Sequence, residues 1–317
     1  MKTSPRTVGI VGAGRTRVGL GPYFARDCQR AGLRLAGIAG RDAERTAALA
    51  ERYAQQFGHP VAAHTDPSAL ARSVDALVVA TPVEHHAEGL AAALAARVPC
   101  LVEKPLVAPA QAVRGLELVD GFAAEALLLV ENCQWPFVLP TFDRLFPGAR
   151  TGPARRVAMR LSPSAPGPEM LLDSLSHLLS VAQSVLPDDA RLQLLDCALE
   201  DPRCAGGRNV LRARLGRRGG ELELELELQV CASQPRPAWL AIDGRRIDRR
   251  IGQGYAFAFA AGERVLAADD PLTQSVAAFA EQVLRPDDLA RARANRAIRE
   301  RLSLYAAIVQ RLGLAGE

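Results

Sequence analysis

Between residues 7 and 130 short, purely apolar runs alternate with longer stretches of helical periodicity, and this alternation constrains the fold more than any other feature. The apolar runs are 7–11 (TVGIV), 33–39, 76–80 (ALVVA), 99–102 and 126–130 (ALLLV). Between them, 23–31, 41–57, 84–96 and 109–122 read as helices, with a shorter one at 69–72. Strands that take turns with helices form crossover units and therefore a parallel sheet. Strands with no polar face belong to a sheet covered on both sides. The first part of the chain is thus an α/β, doubly wound parallel sheet.

The pattern changes after about residue 133. A long helix over 170–186 precedes strand signals at 192–199, 210–215, 221–230, 238–243 and 255–260. The segment Glu221–Leu228 (ELELELEL) alternates strictly, the period of a strand with one buried face. Gly216–Gly220 (GRRGG) reads as a hairpin turn that sets Arg212 and Arg214 across from the Glu row. Helices at 272–284 and 287–312 end the chain. The reading is two domains, 1–133 and 134–317, the second an α+β domain with a large, mostly antiparallel open sheet. A length of 317 residues suits two domains.

Composition removes several classes. Hydrophobic residues are 49% and charged residues 23%, values of a soluble globular chain. The apolar run 123–130 is broken by Glu125 and is far too short to cross a bilayer. Residues 1–6 carry no cleavage signal, so a cytoplasmic protein is expected. Six scattered cysteines without CxxC spacing point to reduced thiols and to no metal site. The net charge of +4 is dispersed among acids, which argues against nucleic acid as a partner. Only two of the 39 basic residues are lysine, Lys2 and Lys104. Lysine loses its proton at attainable pH and arginine does not, so an internal lysine in such a chain is a candidate for proton chemistry.

Strand 7–11 runs into Gly12-Ala13-Gly14, the opening of a dinucleotide-binding fold. Gly12 permits the tight turn, Gly14 lets backbone approach a pyrophosphate, and the following helix offers free N–H groups to the anion. Arg15, Thr16 and Arg17 belong to the same loop. Arg17 stands at the usual third glycine position, which Gly19 or Gly21 replaces after a lengthened loop. The second strand ends in Gly40-Arg41-Asp42. Arg41 suits a 2′-phosphate and favours NADP(H) over NAD(H), while Asp42 keeps NAD(H) open.

Ligands of open α/β sheets lie beyond the carboxyl ends of the strands. There the chain places Glu103-Lys104-Pro105: Glu103 to accept from ribose hydroxyls, and Lys104 to polarise a substrate oxygen or pass a proton. Pro105 holds Lys104 extended. Thr81-Pro82 stands at another strand end, and His85 and His86 open the next helix, where one reaches the nicotinamide side or simply starts the helix. Asp173 and His177, four apart on the long helix, share a face that Ser180 and Ser184 extend. A polar row on an apolar helix needs partners, and His177 is suited to proton transfer near neutral pH. His59 and His64 read as solvated loop residues, and Trp135 and the segment 162–168 as candidate rims of a substrate cleft or as linker residues packed at the domain junction.

In this order, Gly12-Ala13-Gly14, Thr81-Pro82 with His86, Glu103-Lys104-Pro105, and Asp173 with His177, the chain resembles the Gfo/Idh/MocA family of glucose–fructose oxidoreductase and inositol dehydrogenase. Val83, Leu175 and Gln134-Trp135 depart from the family pattern. The resemblance implies an N-terminal Rossmann domain and NAD(P)-dependent oxidation or reduction at a carbon bearing oxygen on a sugar-, cyclitol- or secondary-metabolite-like small molecule. It implies a homo-oligomer, dimer or tetramer, through the C-terminal sheet. By the same resemblance Lys104, Asp173 and His177 are the catalytic set. A redox-neutral glycosidase or lyase that retains NAD, an imine reductase, and a non-catalytic cofactor-binding protein are the alternatives on this scaffold.

Overall fold

The computed structural model describes residues 5–14, 19–187 and 190–314. The chain divides into two compact units. One comprises the residues up to Asn132 together with Ser275–Arg299, and the other Cys133–Gln274 together with Glu300 onward.

The first unit runs β1 (Thr7–Val11), α1 (Gly21–Arg30), β2 (Arg34–Ala39), α2 (Ala43–Phe57), β3 (Ala62–His64), α3 (Pro67–Ala71), β4 (Ala76–Val79), α4 (His86–Ala95), β5 (Cys100–Val102), α5 (Ala112–Ala124) and β6 (Leu129–Glu131). Its sheet has the order β3-β2-β1-β4-β5-β6, with every pair parallel. The expected doubly wound architecture is therefore present. All four residues of β4 are buried, as are Val8 and Ile10 of β1 and all of β5, which is what a sheet covered on both faces demands. The cores of the helices, Phe24, Leu70, Leu90, Leu118 and Phe122, are buried with them. Asp42 caps α2 by accepting from Arg45 N at 3.0 Å, and Gly58 ends it in the left-handed region. His64 lies in β3, not in a loop: Gly40 N donates to its carbonyl, which continues the pairing of β2 with β3.

In the second unit, after α6 (Leu139–Leu145), come β7 (Arg156–Leu161), α7 (Glu169–Ser184), β8 (Gln193–Leu199), β9 (Arg208–Arg217), β10 (Gly220–Gln229), β11 (Trp239–Ile242), β12 (Arg245–Ile251), β13 (Phe257–Ala261) and β14 (Arg264–Ala268). They form a sheet of order β14-β13-β12-β11-β7-β10-β9-β8, antiparallel except for the β7–β10 pair among the described strands. The Glu-Leu alternation divides the faces of β10 as expected. Leu222, Leu224, Leu226 and Leu228 are buried, and α7 packs on β7 and β10. On the other face Arg212 lies directly across from Glu225 at 3.3 Å, and Arg214 reaches Glu221 at 3.3 Å. All six cysteines are free.

The chain closes with α8 (Pro271–Leu284) and α9 (Asp288–Arg311). The sequence reading placed everything after 133 in the second domain, but Ser275–Arg299 packs with the first. Asn295 shows why. Its buried amide accepts from Leu129 N at 3.0 Å and donates to Leu127 O at 2.8 Å. It thus satisfies backbone groups at edge strand β6 that would otherwise lack partners.

Candidate active site

The carboxyl ends of the first sheet lie side by side because the strand ladder continues one residue into each exit. Gly12 N donates to Ala39 O, Ala80 N to Val11 O, Glu103 N to Val79 O and Asn132 N to Val102 O, all at 2.8–2.9 Å. Gly12, Thr81, Glu103 and Asn132 therefore stand on one edge. Gly12 has φ +79°, and a Cβ there would sit 2.8 Å from Ala80 C and Thr81 N. No other residue fits that turn. Gly21, in the first turn of α1, is the third glycine of the fingerprint: a Cβ on it would lie 2.5 Å from Gly12 O. The lengthened loop thus restores close helix–turn packing. Arg15, Thr16 and Arg17 lie outside the described residues. At the end of β2, Gly40 leaves room for Thr46, whose Oγ1 would meet a Cβ at 2.6 Å. Arg41 and Asp42 are exposed, with Asp42 engaged in capping α2.

Residues 6–122 match the model of the Gfo/Idh/MocA oxidoreductases, described as an oxidoreductase family with an NAD-binding Rossmann fold. That match covers the first unit from β1 through most of α5 and marks it as similar to the nucleotide-binding domain of these oxidoreductases. No curated protein matches the chain by sequence. Among solved structures, UDP-N-acetylglucosamine 3-dehydrogenase from Acidithiobacillus ferrooxidans superimposes with a TM-score of 0.68 at 20% identity, covering 98% of this chain and 99% of its own. A 3-ketoreductase from Actinomadura kijaniata, in complex with NADP and TDP-benzene, gives 0.67 at 22% identity, covering 97% and 98%. A probable dehydrogenase from Thermotoga maritima gives 0.71 at 15% identity, covering 97% and 96%. The whole chain therefore has the fold of these dehydrogenases and reductases.

Glu103-Lys104-Pro105 leaves β5 at the edge just described, with Lys104 half-buried and the Lys104–Pro105 peptide cis. Asn132 Nδ2 donates to Glu103 Oε1. Glu131, buried at the end of β6, accepts from Leu106 N at 3.0 Å. Glu131 and Asn132 escaped the sequence reading, although a polar pair that ends an apolar strand is the signal that singled out Glu103 and Lys104.

His86 opens α4, one of the two places the sequence offered for it. It is 1% exposed, and its Nδ1 and Nε2 lie 2.9 Å from the carbonyl oxygens of Pro105 and Thr81. Both ring nitrogens face backbone, so the ring braces the β4 and β5 exits. Burial pushes its pKa below the ordinary 6.5, against the pull of the carbonyls and Glu131. The unfolded chain then takes up this proton first as pH falls. Stability is whole above about 6.5 and declines below it. Chemical denaturation followed from pH 7 to pH 5 should show the midpoint falling, and His86→Gln should flatten that slope. An unchanged slope would refute the assignment.

One group at the edge is left open to a ligand. Gly12 lets the turn close on the backbone of Ala80 and Thr81, and Thr81 Oγ1 is buried there with no hydrogen-bond partner among the described residues. Such a hydroxyl is costly unless a ligand completes it.

In the second unit, Asp173 and His177 lie one turn apart on α7. They are the only residues from Met170 to Ala182 that are not buried. The stripe does not extend as expected. Ser180 Oγ donates to His177 O and Ser184 Oγ to Ser180 O, both at 2.8 Å, so the serines satisfy themselves on their own helix. Trp135 is packed, the second of its two readings. It is buried, edge-on to Phe259 at 6.4 Å, with Arg249 over its ring. In the segment before α7, Ser162 Oγ donates to Pro237 O at 2.7 Å.

Proposed function

We propose that this protein is an NAD(P)-dependent dehydrogenase or reductase acting at a carbinol or carbonyl carbon of a sugar-, cyclitol- or secondary-metabolite-like molecule. The observation that carries the reading is the presence of Lys104 on the same sheet edge as the Gly12 turn. A bound pyridine nucleotide supplies or accepts the hydride. Lys104 polarises the substrate oxygen and, with His177, gives or takes the hydroxyl proton; Asp173 orients His177 or substrate. Glu103 and Thr81 hold the cofactor's polar groups beside the turn. The sugar class draws support from the names of the structural relatives, a UDP-N-acetylglucosamine 3-dehydrogenase and a 3-ketoreductase.

NADP(H) is favoured over NAD(H). Asp42, the acid that would hold a free ribose hydroxyl, spends Oδ1 on the N-terminus of α2 and pairs with Arg45 at 3.4 Å. Arg41 is exposed and forms no ion pair among the described residues. Fluorescence titration is expected to give NADPH an affinity about tenfold above NADH, roughly 1.4 kcal/mol, with Arg41→Ala bringing the two level. Tighter NADH binding would reverse this assignment. A carbonyl and polyol panel followed at the nicotinamide absorbance tests the reaction, and redox-neutral turnover would displace it. The open, charged face of the second sheet is assigned to a homo-oligomer, dimer or tetramer. No helix among the described residues is long and apolar enough to cross a membrane.

A further inference from the structure

The glycine turn is held from behind by a side chain that neither its own sequence motif nor the family match points to. Tyr53 lies on α2, forty residues from the turn and 5% exposed, and its hydroxyl donates to Ala13 O at 2.9 Å. Among the described residues Leu49, one helical turn earlier, is the neighbour a Cβ on Gly14 would meet, at 3.8 Å. One face of α2 therefore backs the turn. The Tyr53 ring is itself fixed: it stacks on Phe57 with centroids 5.7 Å apart and planes 5° apart, and Phe57 stacks on His59. His59 in turn meets Gln29, whose Oε1 accepts from Leu35 N in β2. Burial pushes the phenol up to about 12, slightly offset by Arg52, so the hydroxyl remains a donor at any working pH.

The consequence follows from peptide geometry. In a planar trans peptide the C=O and N–H point in opposite directions. With Ala13 O turned back onto Tyr53, the Gly14 N–H of the same peptide faces away from α2. That N–H makes no hydrogen bond among the described residues. An outward backbone N–H in this turn is the group that receives a pyrophosphate oxygen.

We propose that Tyr53 is a positioning residue for cofactor binding: it sets the Ala13–Gly14 peptide so that the Gly14 N–H is aimed at the pyrophosphate. The proposal rests on the pyridine-nucleotide reading above. The test is Tyr53→Phe, which keeps the stacked ring and removes only the donor. Affinities for NADPH, ADP-ribose and adenosine 2′-monophosphate are measured by titration and competition, beside thermal unfolding. NADPH and ADP-ribose, which carry the pyrophosphate, are expected to weaken about tenfold. Adenosine 2′-monophosphate, which lacks it, should stay within about twofold, and kcat at saturating NADPH should be nearly unchanged. Unchanged ADP-ribose affinity overturns the proposal, as does equal weakening of all three ligands, which would mark a loosened fold. Failure of the unsubstituted protein to bind either dinucleotide would instead overturn the cofactor reading itself.

Discussion

Replacing Lys104 with methionine is expected to lower kcat/KM by about 10²–10⁴, the usual worth of a positioned proton donor or acceptor, while NADPH affinity stays within about threefold. Methionine keeps much of the stem and removes the ammonium group. Lys104→Arg is the sharper comparison. Arginine restores a positive charge at the edge but does not release its proton at attainable pH. If Lys104 only attracts an oxygen, arginine should recover much of the rate. If it passes a proton, arginine should remain nearly as poor as methionine, and the basic limb of the pH–rate profile should vanish in both. Full activity of Lys104→Met on a substrate turned over by the unsubstituted enzyme would remove this residue from the chemistry.

Gly12→Val should abolish detectable dinucleotide binding, a loss of at least about 10²-fold, and lower the unfolding temperature. Two costs combine. The residue would hold φ near +79°, which a β-branched side chain tolerates badly. Its Cβ would also press on Ala80 C and Thr81 N at 2.8 Å, backbone atoms at the end of β4 that cannot swing aside. Gly14→Ala separates fold from ligand. Among the described residues its Cβ would meet only Leu49 Cδ2, at an ordinary 3.8 Å, and its φ lies outside the left-handed region. That variant should unfold at nearly the parent temperature. A loss of NADPH affinity in it then reports space reserved for the cofactor. Equal unfolding temperatures for Gly12→Val and the parent would contradict the packing described here.

The elements missed in the sequence share a physical cause. β12 reads RRIDRRI, a charged segment with little β-propensity, and it is a strand because β11 and β13 supply backbone partners on both sides. β7 is short and carries Arg156 and Arg160, yet it sits inside the second sheet between β11 and β10. The polar side chains have a related explanation. A ligand was the expected partner for Ser180, and one of two readings for His86 and Trp135. The structure meets those needs with carbonyls of Thr81 and Pro105, a cation over an indole, and the backbone of α7. Whether a polar group is satisfied depends on atoms distant in the chain, and spacing alone does not report them.

The order of apolar strands and helices, the glycine turn after β1, the Glu-Leu alternation of β10 and the placement of Lys104 after β5 were determined by the amino-acid sequence alone. Each is a local pattern whose period or position follows from backbone geometry and from the need to bury one face. Only the tertiary structure decided that Gly21 serves as the third glycine, that Asn295 closes the sheet edge, that Asp42 is occupied at α2 and that Tyr53 stands behind Ala13. Most of those relations join residues far apart in the chain, and all of them exist only once the chain has paid the entropy of closing the loops between them.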